Sequence, residues 1–334
     1  MTTLSSGRPT MVDVARQAHV SLKTVSRVVN EEPGVRPETE QRVRDAIAEL
    51  GFRRNDGARQ LRRGRTASIG LIVEDLANPF YSALAASCER VARLRRHLLI
   101  TASAEGSAER EESLAGALLA RRVDGLIVVP AAPEHGWLRT ELSAGMPVVF
   151  VDRPATGVEA DTVLADNEGG IRSAVEHLAA HGHRRIGFLG DDPAFWTAQR
   201  RRDGFVSAVE ALGLPCVDLV AMGPHDVDEL RRRVQRWTSD GSPVTALVTG
   251  NNRVTIALLR ALRSVDVTTS LVGFDDFELA DLLDPAITVV TQDPAMVGEA
   301  AANLLFARID GDTSAPQQVV LPTQLIVRES GRAV

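Results

Sequence analysis

A short stretch near the N-terminus, Ser21–Asn30, combines hydroxyl, amide and basic side chains. Lys23 and Arg27 can donate hydrogen bonds to base edges or phosphates of DNA, because each carries a positive charge on a long side chain. Hydroxyl and amide groups that can bind phosphate oxygens accompany them at Thr24, Ser26 and Asn30. At the start of a helix, this combination predicts a surface that binds nucleic acid.

The charge distribution is also typical of a protein that binds nucleic acid. Residues 1–66 hold 13 Lys and Arg against 8 Asp and Glu, whereas the whole chain has a net charge of −6. A basic head on an acidic body predicts that contact with nucleic acid is confined to one end. A solvated charged surface explains the same numbers, so charge alone leaves both interpretations open.

A second group of polar and aromatic residues lies just after predicted strands. They are Asn78, Phe80, Tyr81, Asp152, Arg153, Phe195, Thr197, Arg201, Asn251, Asp275 and Gln292. Taken singly, each of them is better explained as a helix cap or a loop residue. Ligands of open parallel sheets bind at the carboxyl ends of the strands, and carboxylates, amides and guanidinium groups beside aromatic rings suit a polyhydroxylated ligand. The repetition at successive strand ends therefore favours a sugar-like ligand.

The elements that must position the first group are three short helices. Thr10 and Asp13 resemble a capping box that opens the first helix, Ser21 caps the second, and Pro37 begins the third. A tight break at His19 separates the first two helices. This order predicts a helix-turn-helix domain.

The elements that must position the second group begin at Ser68. Apolar strands alternate with helices from there to Ile309, and Val217–Val220 is one of the predicted strands. Such alternation predicts parallel sheets covered by helices on both faces. The number of units predicts two lobes rather than one sheet. The fold class is therefore α/β, with a helix-turn-helix head, a linker and a two-lobed core.

The head resembles that of a known family. The runs Val12-Asp13-Val14-Ala15 and Val20–Asn30 are similar to the DNA-binding head of the lactose-repressor (LacI/GalR) family of transcriptional regulators. His19 stands where that family usually has glycine. The resemblance implies that Leu22 and Lys23 read bases in the major groove with Arg27 beside them, while Thr24, Ser26 and Asn30 position the helix on phosphates.

The resemblance continues through the linker and the body, from Thr10 to about Ser330. It implies a hinge helix that forms on operator DNA, with Leu61 in the minor groove and Ala58 and Arg59 alongside. The implied DNA-binding set is Thr10, Ser21, Leu22, Lys23, Thr24, Ser26, Arg27, Asn30, Asn55, Ala58, Arg59 and Leu61. The body motifs Asn78–Tyr81, Val149–Arg153, Gly182–Gly187 and Val272–Asp276 are similar to the family's effector domain, which is itself similar to periplasmic sugar-binding proteins.

From these observations we expect three domains and a defined set of partners. The domains are residues 1–54 for DNA binding, 55–66 for the hinge and 67–334 for effector binding and dimerisation, with lobes at 67–164 plus 292–322 and at 165–291 plus 323–334. The expected partners are palindromic operator DNA, a second copy of the chain and a sugar-like effector, bound between the lobes by the eleven strand-end residues. A pentose or hexose is favoured, and a nucleoside or sugar phosphate is the alternative. The Asn251-Asn252-Arg253 run departs from the family's usual Asn-Asp pair.

Other functions find little support in the sequence. The single lysine, Lys23, excludes a P-loop, and common hydrolase, dinucleotide and zinc-protease motifs are absent. His177 and His181 are spaced to seed a metal site but more simply decorate a helix end, so no cofactor is expected. A solute-binding protein explains the body but not the head. No long apolar run or secretory leader is present, which predicts a cytoplasmic protein without a membrane span.

Overall fold

The computed structural model describes residues 9–30, 32–52, 66–132, 134–239, 241–263 and 269–332. Contacts between residues divide the chain into two units, Met1–Thr66 and Ala67–Val334. The predicted hinge residues Asn55, Ala58, Arg59 and Leu61 lie outside the described residues.

The first unit is a bundle of three helices, α1 (Met11–Gln17), α2 (Leu22–Val29) and α3 (Pro37–Leu50). Its core consists of buried Val14, Ala18, Val25, Val28, Val43 and Ala46. Three of these six residues are fully inaccessible to water. The burial of these apolar side chains stabilises the short bundle. The predicted helix-turn-helix arrangement is confirmed.

The second unit alternates strands and helices, with the following bounds. The strands are β1 (Ser68–Val73), β2 (Leu98–Ser103), β3 (Leu126–Val128), β4 (Val148–Val151), β5 (Asp161–Ala165), β6 (Ile186–Leu189), β7 (Val220–Ala221), β8 (Ala246–Thr249), β9 (Ser270–Phe274), β10 (Thr288–Thr291), β11 (Gln318–Leu321) and β12 (Gln324–Ile326). The helices are α4 (Pro79–Leu94), α5 (Ala108–Ala120), α6 (Arg139–Ser143), α7 (Asn167–Ala180), α8 (Trp196–Ala211), α9 (Val227–Ser239), α10 (Asn252–Leu262) and α11 (Pro294–Ile309).

Two six-stranded sheets of matching order form the two lobes. The order is β2-β1-β3-β4-β5-β11 in the sheet that we call the N-lobe, and β7-β6-β8-β9-β10-β12 in the C-lobe. All neighbouring strands are parallel except β10 and β12, which are antiparallel. The chain passes between the sheets after β5, after β10 and after β11. The predicted α/β class with parallel sheets is confirmed.

The lobes have separate apolar cores. In the N-lobe, α4 and α11 pack on the sheet through residues such as Leu84, Ile127 and Phe306. In the C-lobe, α7 and α8 pack on the other sheet through residues such as Phe188 and Phe205. Strands β1, β3, β4 and β5 are buried at every position, as expected for parallel strands covered on both faces. No helix among the described residues is long and apolar enough to cross a membrane.

Some elements differ from the sequence prediction. The strand predicted at Val217–Val220 is instead Val220–Ala221, and Val217 is 83% exposed. Strands β5, β11 and β12 and the short helix α6 were not predicted. Strands β11 and β12 have only four and three residues and partly exposed side chains, so neither carries the fully buried apolar signature used to find the other strands.

Candidate functional site

The first unit exposes the side chains predicted to contact DNA. The start of α2 is turned outward, and Leu22 remains 49% exposed although it is apolar. Ser21, Lys23 and Arg27 are also exposed, while Thr24, Ser26 and Asn30 are half-buried. An exposed helix start is what a recognition helix needs, because its N-terminal residues contact base edges in the major groove.

Capping hydrogen bonds at the start of the first two helices, together with the turn between them, define where α2 begins. The Thr10 hydroxyl accepts from the backbone N–H of Asp13 at 3.4 Å, and the Asp13 carboxylate accepts from the Thr10 backbone N–H at 2.9 Å, so the predicted capping box is present. The Ser21 hydroxyl accepts from the Thr24 backbone N–H at 3.1 Å. His19 has a φ of 52°, which is the left-handed conformation that a glycine would adopt more easily at this turn.

In the second unit, the strand ends bring ten of the eleven predicted effector residues around one cavity. Those ten are Asn78, Phe80, Tyr81, Asp152, Arg153, Thr197, Arg201, Asn251, Asp275 and Gln292. We call them, together with Glu74 and Asn252, which line the same cavity, the inner cluster. The eleventh residue, Phe195, lines an adjoining larger space. The cavity lies between the lobes, because its lining comes from both sheets.

The N-lobe half of the inner cluster is organised by Arg153, which is only 6% exposed. Its guanidinium donates to the Pro130 carbonyl at 2.9 Å and to the Glu74 carboxylate. The Tyr81 hydroxyl donates to Glu74 at 3.3 Å or to Asp152 at 3.4 Å. Charged groups this deeply buried are stable only when they are paired, so the arrangement fixes the position of each carboxylate.

The C-lobe half is organised in the same way by Arg201, which is 5% exposed. Its guanidinium donates to Asn167 Oδ1 and to the Gly250 carbonyl, both at 2.7 Å, and lies 3.5 Å from Asp275 Oδ2. Gln292 Nε2 donates to Asp275 Oδ1 at 2.8 Å. The guanidinium carbon also lies 3.8 Å from the centre of the Phe274 ring, a cation–π contact.

Three contacts join the lobes across the cavity. Arg153 of the N-lobe stacks on the Phe195 ring of the C-lobe at 4.3 Å. Asn252 Nδ2 donates to Asn78 Oδ1 at 3.0 Å. Arg253 lies 3.6 Å from Glu74 and 3.9 Å from Asp75. The chain therefore holds its own lobes together at the place where an effector was predicted.

Burial shifts the protonation of the inner cluster. It raises the pKa of the Asp152 carboxyl, although the guanidinium groups of Arg153 and Arg201 act in the opposite direction. Burial and the neighbouring Asp152 carboxylate also raise the pKa of the Tyr81 hydroxyl well above its ordinary value. Tyr81 therefore remains a hydrogen-bond donor at neutral pH, whereas ionised Asp152 carries a cost of desolvation.

The inner cavity has a volume of about 40 Å³. A water molecule needs ~10–15 Å³ of such space, so there is room for about three waters and not for a sugar ring. The adjoining space, which we call the outer cleft, has a volume of about 740 Å³. Its lining includes Asp75, Glu105, Asp192, Phe195 and His225, and it shares Glu74, Asp191 and Arg253 with the inner cavity.

Sequence reasoning missed several of these lining residues. Glu74 directly follows β1, and Asp191 and Asp192 follow β6 after Gly190, so the strand-end rule that selected the others was sufficient to find them. Asn252 and Arg253 were not assigned to the effector site, although both directly follow Asn251 in the run that departs from the family pattern. Glu105 and His225 follow the edge strands β2 and β7, whose ends were not considered.

Histidines at the other end of α7 form a separate group. The rings of His177 and His181 lie 4.4 Å apart, and His177 Nε2 lies 3.0 Å from the Gly331 carbonyl oxygen. His183 Nδ1 lies 2.9 Å from the Thr245 hydroxyl. Within the residues that the structure describes, no three His, Cys, Asp or Glu side chains are placed to hold a metal ion.

Comparison with protein families assigns both units. Residues 10–55 match the family described as bacterial regulatory proteins, lacI family. Residues 175–331 match a periplasmic binding protein-like domain.

Individual proteins match over nearly the whole chain. The HTH-type transcriptional regulator CelR of Thermobifida fusca is 32% identical, with 97% of this chain and 98% of the relative covered. The ribose operon repressor of Haemophilus influenzae is 29% identical, with 96% and 98% covered.

Two solved structures of transcriptional regulators are also similar to this chain. The lac repressor dimer bound to operator and the anti-inducer ONPF matches with a TM-score of 0.84 and 25% identity, over 98% of this chain and all of that one. A complex of the transcriptional regulator CelR with cellobiose matches with a TM-score of 0.70 and 31% identity, over 97% and 100% of the two chains. The chain therefore belongs to the LacI family of DNA-binding transcriptional regulators, and it is not an enzyme.

Proposed function

We propose that this protein is a homodimeric repressor whose affinity for a palindromic operator is controlled by a sugar-like effector between its lobes. The observation that carries the proposal is that one chain joins an exposed recognition helix, α2, to a polar cluster built from both sheets. The sequence favours a pentose or hexose, and we propose that a sugar ring of this kind is the part of the effector that reaches the inner cluster.

The DNA side requires two copies of the chain. The exposed start of α2 spans about one helical turn, which reaches too few base pairs for useful selectivity. Two heads on a two-fold symmetric site double the contacts and match a palindrome. Large apolar side chains on both lobes are available for burial against a second copy, since Leu94 and Leu98 of the N-lobe and Leu282 of the C-lobe are 75%, 65% and 74% exposed.

The effector side rests on the contacts that join the lobes. An effector that enters between Arg153 and Phe195, or between Asn252 and Asn78, replaces contacts that the chain makes with itself. Its binding then favours one angle between the lobes over another, because only differential affinity for two conformations can shift them. We propose that this angle controls whether residues 55–66 order on DNA. Because its target is DNA, we also propose that the protein works in the cytoplasm.

The experiment is a selection of DNA fragments by the full-length protein, followed by fluorescence anisotropy at physiological salt. We expect a palindromic fragment to bind at least about a thousandfold more tightly than random DNA, the lower end for specific regulators. Lys23→Ala should relax this preference at one base position in each half-site. Arg44→Ala, which removes an exposed arginine of α3, is the matched control and should change little. Binding without any sequence preference would refute the proposal.

A further inference from the structure

The outer cleft extends the inner cluster along both sheets towards their edge strands. Its N-lobe wall includes Asp75 and Glu105, which follow β1 and β2, and its C-lobe wall includes Asp192 and His225, which follow β6 and β7. Its volume of about 740 Å³ is nearly twenty times that of the inner cavity. Ligand pockets of this size, within the range of roughly 300–1,000 Å³, enclose molecules larger than one sugar ring.

The charge of this combined space is strongly negative. Seven carboxylates line it against three guanidinium groups. All three guanidinium groups are engaged within the chain: Arg153 with Glu74, Arg201 with Asp275 and Asn167, and Arg253 with Glu74 and Asp75. The only lysine in the chain, Lys23, belongs to the first unit. A ligand that carries phosphate or carboxylate therefore meets repulsion from seven carboxylates, which the three paired guanidinium groups do not offset.

An unpartnered acceptor belongs to a residue that lines the inner cavity. Asn252 is 3% exposed, and its side-chain Oδ1 has no hydrogen-bond partner within the described part of the chain, although its Nδ2 donates to Asn78. A buried acceptor without a donor is costly, so it points to a ligand group that donates a hydrogen bond. Asp192 adds acceptor capacity, since among the described residues only its Oδ1 accepts a hydrogen bond, from the Ala194 backbone N–H at 2.8 Å. The cleft thus needs a ligand that is rich in donors.

We propose that the effector is an oligosaccharide of at least two rings that carries no negative charge. One terminal ring replaces the contact between Asn252 and Asn78, enters the inner cluster as the lobes move apart there, and donates a hydroxyl to Asn252. The next ring lies in the outer cleft beside Asp192. The carboxylates of Asp75, Glu105 and Asp192 exclude phosphorylated and acidic sugars. This proposal rests on the proposed sugar-responsive function and specifies the class of sugar.

The first test is isothermal titration of the full-length protein. The ligands are uncharged disaccharides (cellobiose, maltose, lactose and trehalose), their component monosaccharides, glucose 6-phosphate, glucuronate and glucosamine. We expect one disaccharide to bind at least about tenfold more tightly than its component monosaccharides and than every charged sugar. A monosaccharide or a charged sugar that binds as tightly as the best disaccharide overturns the inference but leaves sugar control intact. Binding of no sugar at all, with selective DNA binding retained, overturns the proposed effector class as well.

The second test uses a pair of matched variants. Asp192→Asn keeps the Oδ1 acceptor for the Ala194 N–H but removes a negative charge from the cleft. Asp312→Asn does the same at a site outside the cleft lining, where Asp312 Oδ1 accepts from the Ser314 N–H at 2.9 Å. We expect Asp192→Asn to tighten binding of glucose 6-phosphate by at least about threefold while glucose affinity changes less, and Asp312→Asn to change neither. Identical behaviour of the two variants overturns the exclusion of anions.

Discussion

Asp152 and Asp275 occupy equivalent places in the two lobes. Each directly follows the fourth strand in the order of its sheet, β4 in the N-lobe and β9 in the C-lobe. Their φ angles are 69° and 63°, and their backbone N–H groups donate to Val163 O at 2.9 Å and Val290 O at 2.8 Å. The left-handed backbone is unfavourable for most residues other than glycine and is tolerated by aspartate. The same local turn therefore directs one carboxylate from each lobe into the cleft.

Removal of the Arg201 guanidinium should separate effector response from DNA binding. Arg201→Ala leaves buried Asp275 with Gln292 as its remaining side-chain partner, so we expect a loss of about 3 kcal/mol in stability, as for other broken buried pairs. Operator affinity should persist below the lowered melting temperature, and the sugar should no longer change it. The measurements are a thermal melt and anisotropy titrations with and without sugar.

Two further variants distinguish a loss of the effector site from a general loss of folding. Arg201→Lys keeps the charge but loses the planar fork that reaches Asn167 and Gly250, so sugar affinity should fall with a smaller loss of stability. Arg202→Ala, on the same helix, removes a half-exposed side chain paired with Asp203 and should leave sugar affinity unchanged. An intact sugar response in Arg201→Ala would place the effector site elsewhere.

Asp152→Asn should stabilise the protein at neutral pH while it impairs effector binding. Burial raises the pKa of Asp152 above 3.8, so this group favours folding only at low pH, and its contribution is lost as the pH rises through the raised pKa. Asparagine removes the buried charge and also tolerates the left-handed backbone. We expect a higher urea midpoint at about pH 7.5 and a smaller gain near pH 5.

Asp312 provides the contrasting case, because hydrogen bonds from Ser314 lower its pKa in the folded state. Asp312→Asn should therefore produce no gain in stability at neutral pH. A neutral or destabilising effect of Asp152→Asn at pH 7.5 would show that the Arg153 and Arg201 charges outweigh the cost of burying Asp152.

The strand-end rule predicted most of the inner cluster because it depends on topology alone. Asn78, Asp152 and Asp275 are far apart in sequence, yet parallel strands bring their carboxyl ends to one edge. The rule did not predict the pairings, since Arg153 with Glu74 and Arg201 with Asn167 depend on side-chain packing between elements. The volumes of the cavity and cleft were also unpredictable, because they depend on how the two lobes approach each other.

Leu61→Ala should weaken operator binding and leave effector binding intact. Leu61 lies outside the described residues, so this prediction comes from the sequence and its family resemblance. Loss of a buried leucine contact costs about 1.5–3 kcal/mol, which corresponds to roughly a tenfold to hundredfold weaker operator complex. Anisotropy with operator and calorimetry with sugar give the two affinities. Equal losses of both would contradict the separation of the two functions.

Acidification should destabilise the second unit through its histidines. Burial, followed by the charge of neighbouring His181, lowers the pKa of His177, and burial also lowers that of His183. The folded state then binds fewer protons than the unfolded chain, so stability is retained above the ordinary pKa of 6.5 and lost as the pH falls through the lowered values.

Urea midpoints between about pH 7.5 and pH 5 measure this effect. The double variant His177→Gln/His183→Gln should lose less stability over that range than the natural protein. Equal losses in the double variant and the natural protein would assign the pH dependence to other groups.

Sugar in the cleft and operator on the head should be thermodynamically coupled. Coupling is reciprocal, so the factor by which sugar changes operator affinity must equal the factor by which operator changes sugar affinity. Anisotropy gives the first factor, and calorimetric titration of free and operator-bound protein with the tightest-binding sugar gives the second. We predict equal factors of about 5 to 150, the range expected for a coupling of 1–3 kcal/mol. A factor of one in both titrations, with sugar and operator each bound, would contradict the account.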